Sequence, residues 1–600
     1  MKEKKWKNAE PVSAALRDGF PELHPVTVQL LANRGITTQQ EIDEFLLPDY
    51  GQDLHDPFIF REMEEACARV WNAATRREKV VIHGDYDADG VTGTAILLSV
   101  FREIAQEVGG DSEAFTSYIP HREHEGYGLN MDTVKKLAAD GNNLLVTVDC
   151  GISNADEIAR VKELGMDAIV VDHHQVSEKV PECTIIHPLA PGEKYPFKGL
   201  AAAGVAFKFA AAFLDYARRS GVEVPEGREK WLLDLVAIAT VTDIMPLLGE
   251  NRTLEKYGLI VLNKTRRPGL KRLIEAAGLE PGQLDTVSVG YYIGPRINAA
   301  SRMDHADLAL DTVMAKSDEE AQELAQKLNL CNAERQKRTE EMFRKAKKMV
   351  DPSKKVQVVV GDGWSAGIVG IVAGKLVTEL GMPAFVLCRQ KDHIVGSGRS
   401  IPEFDVMELL NEASDVLARY GGHPEACGLT IEGDENLNEF IRIAGECAAK
   451  KLDGADLRPT LRVECELKTS QVTWELVNEL EKFEPFGQSN PKPLFMFHNL
   501  MLNSLYPVGK DGKHVRVGVK GDAPKEFKMI GFGMTERMSE FTPGSAIDAV
   551  AEVGVNEWNG SKSIQLRLVD VKPSGESGES GEKRGEKVLS RLASDASDPR

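Results

Sequence analysis

The chain has 600 residues, a net charge of −20 and ordinary proportions of hydrophobic and charged residues. That length exceeds what one hydrophobic core organises, so about three or four domains are expected. No apolar run reaches the roughly 18–20 residues of a membrane span, no apolar stretch follows the charged start as a secretory signal requires, and the eight scattered cysteines lack the Cys-x-x-Cys spacing of a zinc site.

A cytoplasmic location with reduced thiols is the expectation. The acidic balance counts modestly against nucleic acid as a partner, because the usual footprint is basic. Carboxylates that hold metals would be part of that charge, and a local Arg/Lys groove can coexist with an acidic exterior.

Residues 1–75 read as a helical preface. One helical pattern ends at Gly35; Thr37 or Thr38 then caps a second helix that carries Ile42, Phe45 and Leu46 and stops before Pro48. From 76 to 316 short apolar runs alternate with helical patterns, the mark of βαβ units and a parallel sheet. Ala201–Leu214 and Trp231–Ala239 read as buried helices. Residues 317–352 predict one long helix, with Ser317 and Glu320 spaced as a capping box and Asp351-Pro352 as its stop. At ~1.5 Å per residue it would reach roughly 50 Å and could join two domains; an amphipathic surface helix has the same pattern.

Residues 353–456 form a smaller α/β module, with strands at Val356–Val360 and Ala384–Leu387, a helix at Ile368–Leu380 and glycine-rich loops. From 457 to 572 short β patterns alternate with turns, which fits a small β-barrel. The remainder, 573–600, repeats Ser-Gly-Glu and reads as disordered. The fold class is therefore α/β: a parallel-sheet domain, a long helix, a smaller α/β domain and a β-barrel.

The chemistry concentrates where apolar runs end. Asp85, Asp87 and Asp89 stand two apart in Gly-Asp-Tyr-Asp-Ala-Asp-Gly after Val80–Ile82. A calcium loop also spaces acids by two, but its twelfth position needs a glutamate, and Ile96 stands there. Asp149 follows Leu144–Val148, where a buried carboxylate needs a partner such as a metal. Asp172-His173-His174 follows Ala168–Val171, and three adjacent polar residues there rarely serve packing. Asp243 follows the apolar helix and is weak by itself. Ligands of an open α/β sheet bind beyond the carboxyl ends of its strands, so these segments can meet. Carboxylates with imidazoles and no cysteine pair suit Mn²⁺ or Mg²⁺. The surplus of ligands over one ion's needs points to two ions and to phosphoryl chemistry.

In this order the four segments resemble the DHH phosphoesterase superfamily, named for the triplet at 172–174. Glu125-Gly126-Tyr127-Gly128-Leu129, the run Gly294–Arg302, Gly396-Ser397-Gly398-Arg399-Ser400, Gly421-Gly422-His423 and the run Glu484–Pro491 extend the likeness to the bacterial RecJ exonucleases, over roughly residues 20–572. The resemblance implies a DHH domain, a DHH-associated domain joined by the long helix, and an OB-fold. It implies 5′→3′ hydrolysis of single-stranded DNA in repair and recombination. Asp85, Asp87, Asp149, His173, His174 and Asp243 become the expected ligands of two divalent ions, Mn²⁺ first and Mg²⁺ as the alternative. Asp172 completes the catalytic set by orienting the histidines. Single-strand-binding protein and a RecQ-type helicase are the implied partners of a monomer.

Such a pair of ions would activate water for in-line attack, with the 3′-oxygen of the terminal nucleotide as leaving group. Each product strand again begins with a 5′-phosphate, so a phosphate pocket would explain polarity. Arg122, Arg296 and Arg302 are its candidates because arginine grips phosphate bidentately; a salt-bridged structural arginine is the alternative for each. Ser397, Arg399 and His423 could contact the same strand, or form a turn and a packing histidine. Tyr127 and Asn298 join this substrate-side set through their motifs. Ser365, Ser301 and Cys427 depart from the family pattern, where histidine, glycine and alanine are usual; they touch the groove rather than the metal acids. A DHH phosphodiesterase of short oligonucleotides or cyclic dinucleotides needs no barrel, and a non-catalytic replication scaffold would have lost ligands that are all present here.

Overall fold

The computed structural model describes residues 3–391, 393–558 and 560–575. The tail expected at 573–600 lies outside the described residues from 576 onward. No helix among the described residues is long and apolar enough to cross a membrane. The chain packs as two compact units. One gathers Pro48–Leu457 with Gly487–Ser489, and the other the remaining described residues.

The first unit begins with a sheet whose strands, in spatial order, are Phe115–Tyr118, Val80–Gly84, Leu144–Val148, Asp167–Val171 and Thr184–Ile186, all parallel. Val, Ile and Leu dominate the three central strands because both of their faces are covered. Ile82, Val146 and Val148 point into one core, and Val81, Leu145 and Val170 into another. Counted along the chain the order is 2-1-3-4-5, which reverses direction between Val80–Gly84 and Leu144–Val148. A reversal of this kind opens a crevice at the carboxyl ends of the two strands. Asp85 and Asp149 are the first residues beyond them, and Asp172 follows the next strand. The ladder continues one step past each end: Asp85 N–H donates to Val148 O at 3.1 Å and Asp149 N–H to Val171 O at 3.0 Å. The three acids are therefore fixed by sheet register rather than by loose loops.

Helices Ala88–Glu107, Ala202–Arg219 and Leu233–Thr242 pack against one another over this sheet. Leu233–Thr242 is mostly apolar, with Asp234 in its first turn and Asp243 as its C-cap. That acid thus arrives from a helix end, not a strand end. The long helix runs Asp318–Lys348. Its capping box is half formed: Ser317 Oγ accepts the Glu320 N–H at 3.2 Å, while the Glu320 carboxylate reaches one residue further back, to the Lys316 N–H at 2.9 Å. The helix packs along Pro268–Ala276 and Gly294–Met303, then against Ala366–Leu380 of the next module.

That module is a mixed sheet in the order Arg419–His423, Ala426–Ile431, Ile394–Arg399, Ala384–Arg389 and Gln357–Asp362. Only its last two strands run parallel. In the second unit Phe495–Val508, His514–Lys520, Phe527–Gly531, Ser561–Pro573 and Ala546–Trp558 pair in turn, and the last pairs back with the first, closing a barrel. The N-terminal stretch to Leu47 belongs to this unit. Of the two candidate threonines, Thr38 caps helix Gln39–Leu46, with Glu41 reciprocating. Lys5–Asn8, inside the preface expected to be helical, is instead a strand parallel to Thr460–Val463.

Candidate active site

The first acidic loop is compressed by its glycines. A Cβ at Gly90 would lie 2.5 Å from the Asp85 carbonyl oxygen and 2.6 Å from its nitrogen, so the start of helix Ala88–Glu107 lies directly on the strand end. Asp87 caps that helix by accepting from the N–H groups of Asp89 (2.9 Å) and Gly90 (3.2 Å). The Asn298 side-chain oxygen accepts the Ala88 N–H at 2.7 Å. Asp89 turns inward, its two oxygens taking the N–H groups of Ala202 and Ala203 at 2.8 and 2.7 Å. Asp149 holds φ at +63°, a left-handed conformation that aspartate tolerates better than most residues.

Asp172 is buried and saturated. One oxygen accepts the N–H groups of His173 (2.7 Å) and His174 (3.2 Å) and faces His174 Nδ1 at 2.8 Å; the other accepts the Ile152 N–H at 3.1 Å. Its carboxylate engages Nδ1 of His174, the kind of contact that orients an imidazole whose other nitrogen binds a metal ion. Tyr127 Oη donates to the Asp149 carbonyl at 3.0 Å and lies 3.1 Å from His174 Nδ1.

Ligand atoms converge in three groups, each within 4.8 Å: Asp85, Asp87 and Asp149; Asp149, His173 and His174; and Asp89, His173 and Asp243. Asp149 and His173 link the groups. His173 Nε2 lies 3.3 Å from Asp149, 3.5 Å from Asp243 and 3.7 Å from Asp89 oxygens. Yet Asp85 Oδ1, Asp149 Oδ1 and His173 Nε2 are buried without a hydrogen-bond partner. Burial and then the charge of neighbouring carboxylates push Asp85 and Asp149 well above the usual range, Asp89 to about 7 and Asp243 to about 8. Burial, then His174, brings His173 down to about 4. His174 is opposed by burial but carried up to about 9 by Asp172. Unpaired lone pairs amid crowded buried carboxylates are what a divalent cation relieves, and the oxygen-and-imidazole donor set fits such an ion.

Beside these acids lie arginines. Arg122 stacks over the Tyr86 ring at 4.5 Å. Arg302 donates to the Gly367 carbonyl at 2.8 Å; burial, then Arg122 and Arg335, lower it to about 9. Arg296 donates to Asn329 Oδ1 and the Tyr292 carbonyl. Arg399 donates to Ser397 Oγ and the Gly398 carbonyl, both at 2.8 Å, and Ser397 Oγ donates to the Cys427 carbonyl. Arg335, on the long helix, has its Nε buried without a partner. Each of these guanidiniums repels another: Arg302 feels Arg122 and Arg335, Arg335 feels Arg296, and Arg399 feels Arg122. Among the described residues none of the five forms an ion pair with a carboxylate. In a chain of net charge −20 this local surplus of cations is electrostatically favourable for an anion.

Models of three families match in succession: the DHH family N-terminal domain over residues 79–240, the DHHA1 domain over 353–450 and the RecJ OB domain over 463–570. The single-stranded-DNA-specific exonuclease RecJ of Bacillus subtilis is 36% identical over 575 residues, spanning 94% of this chain and 70% of that protein. The chain belongs to the RecJ family. RecJ of Thermus thermophilus is 33% identical, spanning 87% of this chain and 73% of that protein. The solved structure of T. thermophilus RecJ with Mn²⁺ superposes with a TM-score of 0.80 at 29% identity, covering 96% of this chain and 80% of that one. The corresponding structure with Mg²⁺ gives 0.74 at 27% identity.

Set against the RecJ expectation, Asp85, Asp87, Asp149, His173, His174 and Asp243 come together, with Asp172 behind the histidines. Arg122, Arg296, Arg302 and Arg399 share one electrostatic neighbourhood, and Asn298 and Tyr127 contact the metal-site backbone. His423 is exposed, and among the described residues its side chain makes no hydrogen bond or ring contact tying it to this group. Two participants escape the sequence reading. Asp89, quoted only as the third acid of its loop, joins a ligand group, and Arg335 is hidden among the many charges of its helix. Of the departures from the family pattern, Ser301 is buried and donates to the Asn298 carbonyl at 3.4 Å. Cys427 Sγ, with the Phe385 ring, occupies the space a Cβ on Gly398 would need. Ser365 is the N-cap of Ala366–Leu380 without a side-chain capping bond.

Proposed function

We propose that this chain is a metal-dependent exonuclease that hydrolyses single-stranded DNA from the 5′ end, releasing 5′-mononucleotides in DNA repair and recombination. One observation carries the reading: a carboxylate–imidazole cluster with unpaired buried ligand atoms stands beside five arginines that lack carboxylate partners. The names of the relatives support the substrate, and the Mn²⁺ and Mg²⁺ complexes of T. thermophilus RecJ support the ions.

Asp85, Asp87 and Asp149 would hold one divalent ion, and Asp149, His173, His174 and Asp243 a second. When bound, the ions draw charge off the scissile phosphate and make a water acidic enough to attack. The protein's own contribution is positional. Sheet register sets Asp85 and Asp149, Asp172 sets the His174 ring, and Asn298 with Asp87 holds the helix start beneath them. Arg122, Arg302, Arg399 and Ser397 form the proposed terminal-phosphate pocket. Occupation of that pocket by a 5′-phosphate would put the next phosphodiester at the metal site and renew the same end after each cut. The barrel offers long strands a sequence-tolerant path, which favours DNA over dinucleotides as substrate. A monomer in the cytoplasm, working with single-strand-binding protein and a RecQ-type helicase, completes the reading.

Digestion of an oligonucleotide labelled separately at each end tests it. Mn²⁺-dependent release of mononucleotides from the 5′ label, with matched duplex spared, is expected. Hydrolysis of dinucleotides alongside inert long DNA would replace the reading. Arg302→Ala is expected to reduce the preference for 5′-phosphate over 5′-hydroxyl ends by about tenfold or more, the worth of a charge-assisted hydrogen bond. An unchanged ratio moves the pocket elsewhere.

A further inference from the structure

Beside Asp243 the surface turns apolar. Ile244 is 67% exposed, Tyr291 76% and Tyr292 43%. Both tyrosines lie in a π-helical turn, Val289–Ile293, that runs straight into helix Gly294–Met303. The turn is packed on the helix that ends at Asp243. A Cβ at Gly294 would lie 2.1 Å from Thr242 Cγ2, and one at Gly290 3.4 Å from Val241 Cγ1. Downstream on the same helix, Asn298 accepts the Ala88 N–H beneath the acidic loop. Arg296 donates to the Tyr292 carbonyl at 2.8 Å. The two tyrosines thus lie between an expected metal ligand and a guanidinium without a carboxylate partner.

Two features of this lip are locally unfavourable to the backbone. Ile244 is β-branched yet holds φ at +57°, which glycine or asparagine adopts with less strain. The conformation closes the preceding helix through Met245 N–H to Thr240 O at 3.0 Å, but that closure does not call for isoleucine. The π turn inserts an extra residue into the helical ladder, an arrangement that recurs at functional sites. Its effect here is to turn adjacent tyrosines into solvent. Among the described residues neither ring stacks on another aromatic group, and neither hydroxyl is hydrogen-bonded.

We infer that Ile244, Tyr291 and Tyr292 form a platform on which the unpaired bases next to the scissile phosphate stack. The inference rests on the reading of the substrate as single-stranded DNA. With the sugar–phosphate chain drawn to the arginines, the bases project toward the neighbouring apolar surface. Every base has a π face, so such stacking is indifferent to sequence. In a duplex, pairing and stacking hold the bases inside the helix, so reaching the platform requires unpairing, and the same platform discriminates against double strands at the point of cleavage.

The test uses the full chain with Mn²⁺ and two 5′-phosphorylated strands, one oligothymidylate and one whose first few nucleotides are tetrahydrofuran abasic analogues. Wild type is expected to show a KM about tenfold or more lower on the base-bearing strand. The double variant Tyr291→Ala, Tyr292→Ala is expected to lose that difference, and Tyr→Phe at both positions to restore it. Activity of the alanine variant on the abasic strand reports that it is folded. Ile244→Gly is expected to raise Tm while weakening base discrimination. Equal discrimination by wild type and the alanine variant overturns the platform, as does a wild type indifferent to missing bases. Failure of wild type to cut either strand would instead remove the exonuclease reading beneath it.

Discussion

Asp149→Ala is expected to lower kcat on single-stranded DNA by about 10³-fold or more, the worth of several kcal/mol of metal-centred stabilisation, while leaving affinity for the strand within a few-fold. Asp149 belongs to two of the three ligand groups, so its loss disables both. Its Oδ1 has no hydrogen-bond partner, whereas its N–H and carbonyl bonds to Val171 and Tyr127 are backbone bonds that alanine keeps. Removing a carboxylate also relieves repulsion of the DNA phosphates, so binding does not suffer. Alanine is less at ease than aspartate at φ +63°. Asp149→Asn, which tolerates that conformation and keeps the volume, should therefore reproduce the catalytic loss with less effect on stability. Metal-dependent turnover near the wild-type rate in both variants would remove Asp149 from the centre of the mechanism.

The metal-free protein is expected to lose stability as pH rises from about 4 to about 8, and Mn²⁺ to remove most of that slope. Asp89 at about 7, Asp243 at about 8, and the raised Asp85 and Asp149 keep protons in the folded state that the unfolded chain releases near 3.8. Their contribution is complete below that value and is lost as pH climbs through the folded values. His174, raised from 6.5 to about 9, acts in the same direction at higher pH. His173, lowered to about 4, opposes the trend between pH 4 and 6.5, but it is one imidazole against four carboxylates. Asp172, held at about 2 by His174 despite its burial, matters only below pH 4. Divalent ions bind the ionised cluster, so they stabilise most where the bare protein is weakest. Thermal unfolding with EDTA and with Mn²⁺ should differ by about 5 °C or more at pH 8, and by less at pH 5. A metal-free Tm that rises across this window would mean that the carboxylates are not forced together as described.

The acids were legible in the sequence because their information is local. A strand of Val, Ile and Leu that ends in an aspartate announces both the strand and the exposed end, and Asp172-His173-His174 needs no distant partner to be noticed. Helix Gln39–Leu46 was readable to within one residue of its cap, Thr37 or Thr38, because a threonine pair precedes the apolar positions Ile42, Phe45 and Leu46; the structure puts the cap at Thr38. The features that escaped depend on remote residues. Asp89 has the same sequence context as Asp85 and Asp87, and only the N-terminus of Ala202–Arg219, more than a hundred residues later, turns it inward. Arg335 differs from its charged neighbours only through the packing of its helix. The π turn breaks helical periodicity by a single residue, which no pattern of apolar spacing reveals. Strand Lys5–Asn8 is four residues long and acquires its conformation from Thr460–Val463.

That pairing has a consequence for how the molecule is made. The second unit is discontinuous: its chain leaves after Leu47 and returns at Arg458, so the intervening unit is an insertion of roughly four hundred residues. At ~5–20 residues per second of synthesis, the N-terminal strand emerges on the order of tens of seconds before its partner exists. The inserted unit contains its own sheets and cores and can condense in that interval, which replaces a long flexible loop by a folded body. Assembly of the nuclease is thereby ordered in time, with the carboxylate–imidazole cluster gathered before the barrel can close.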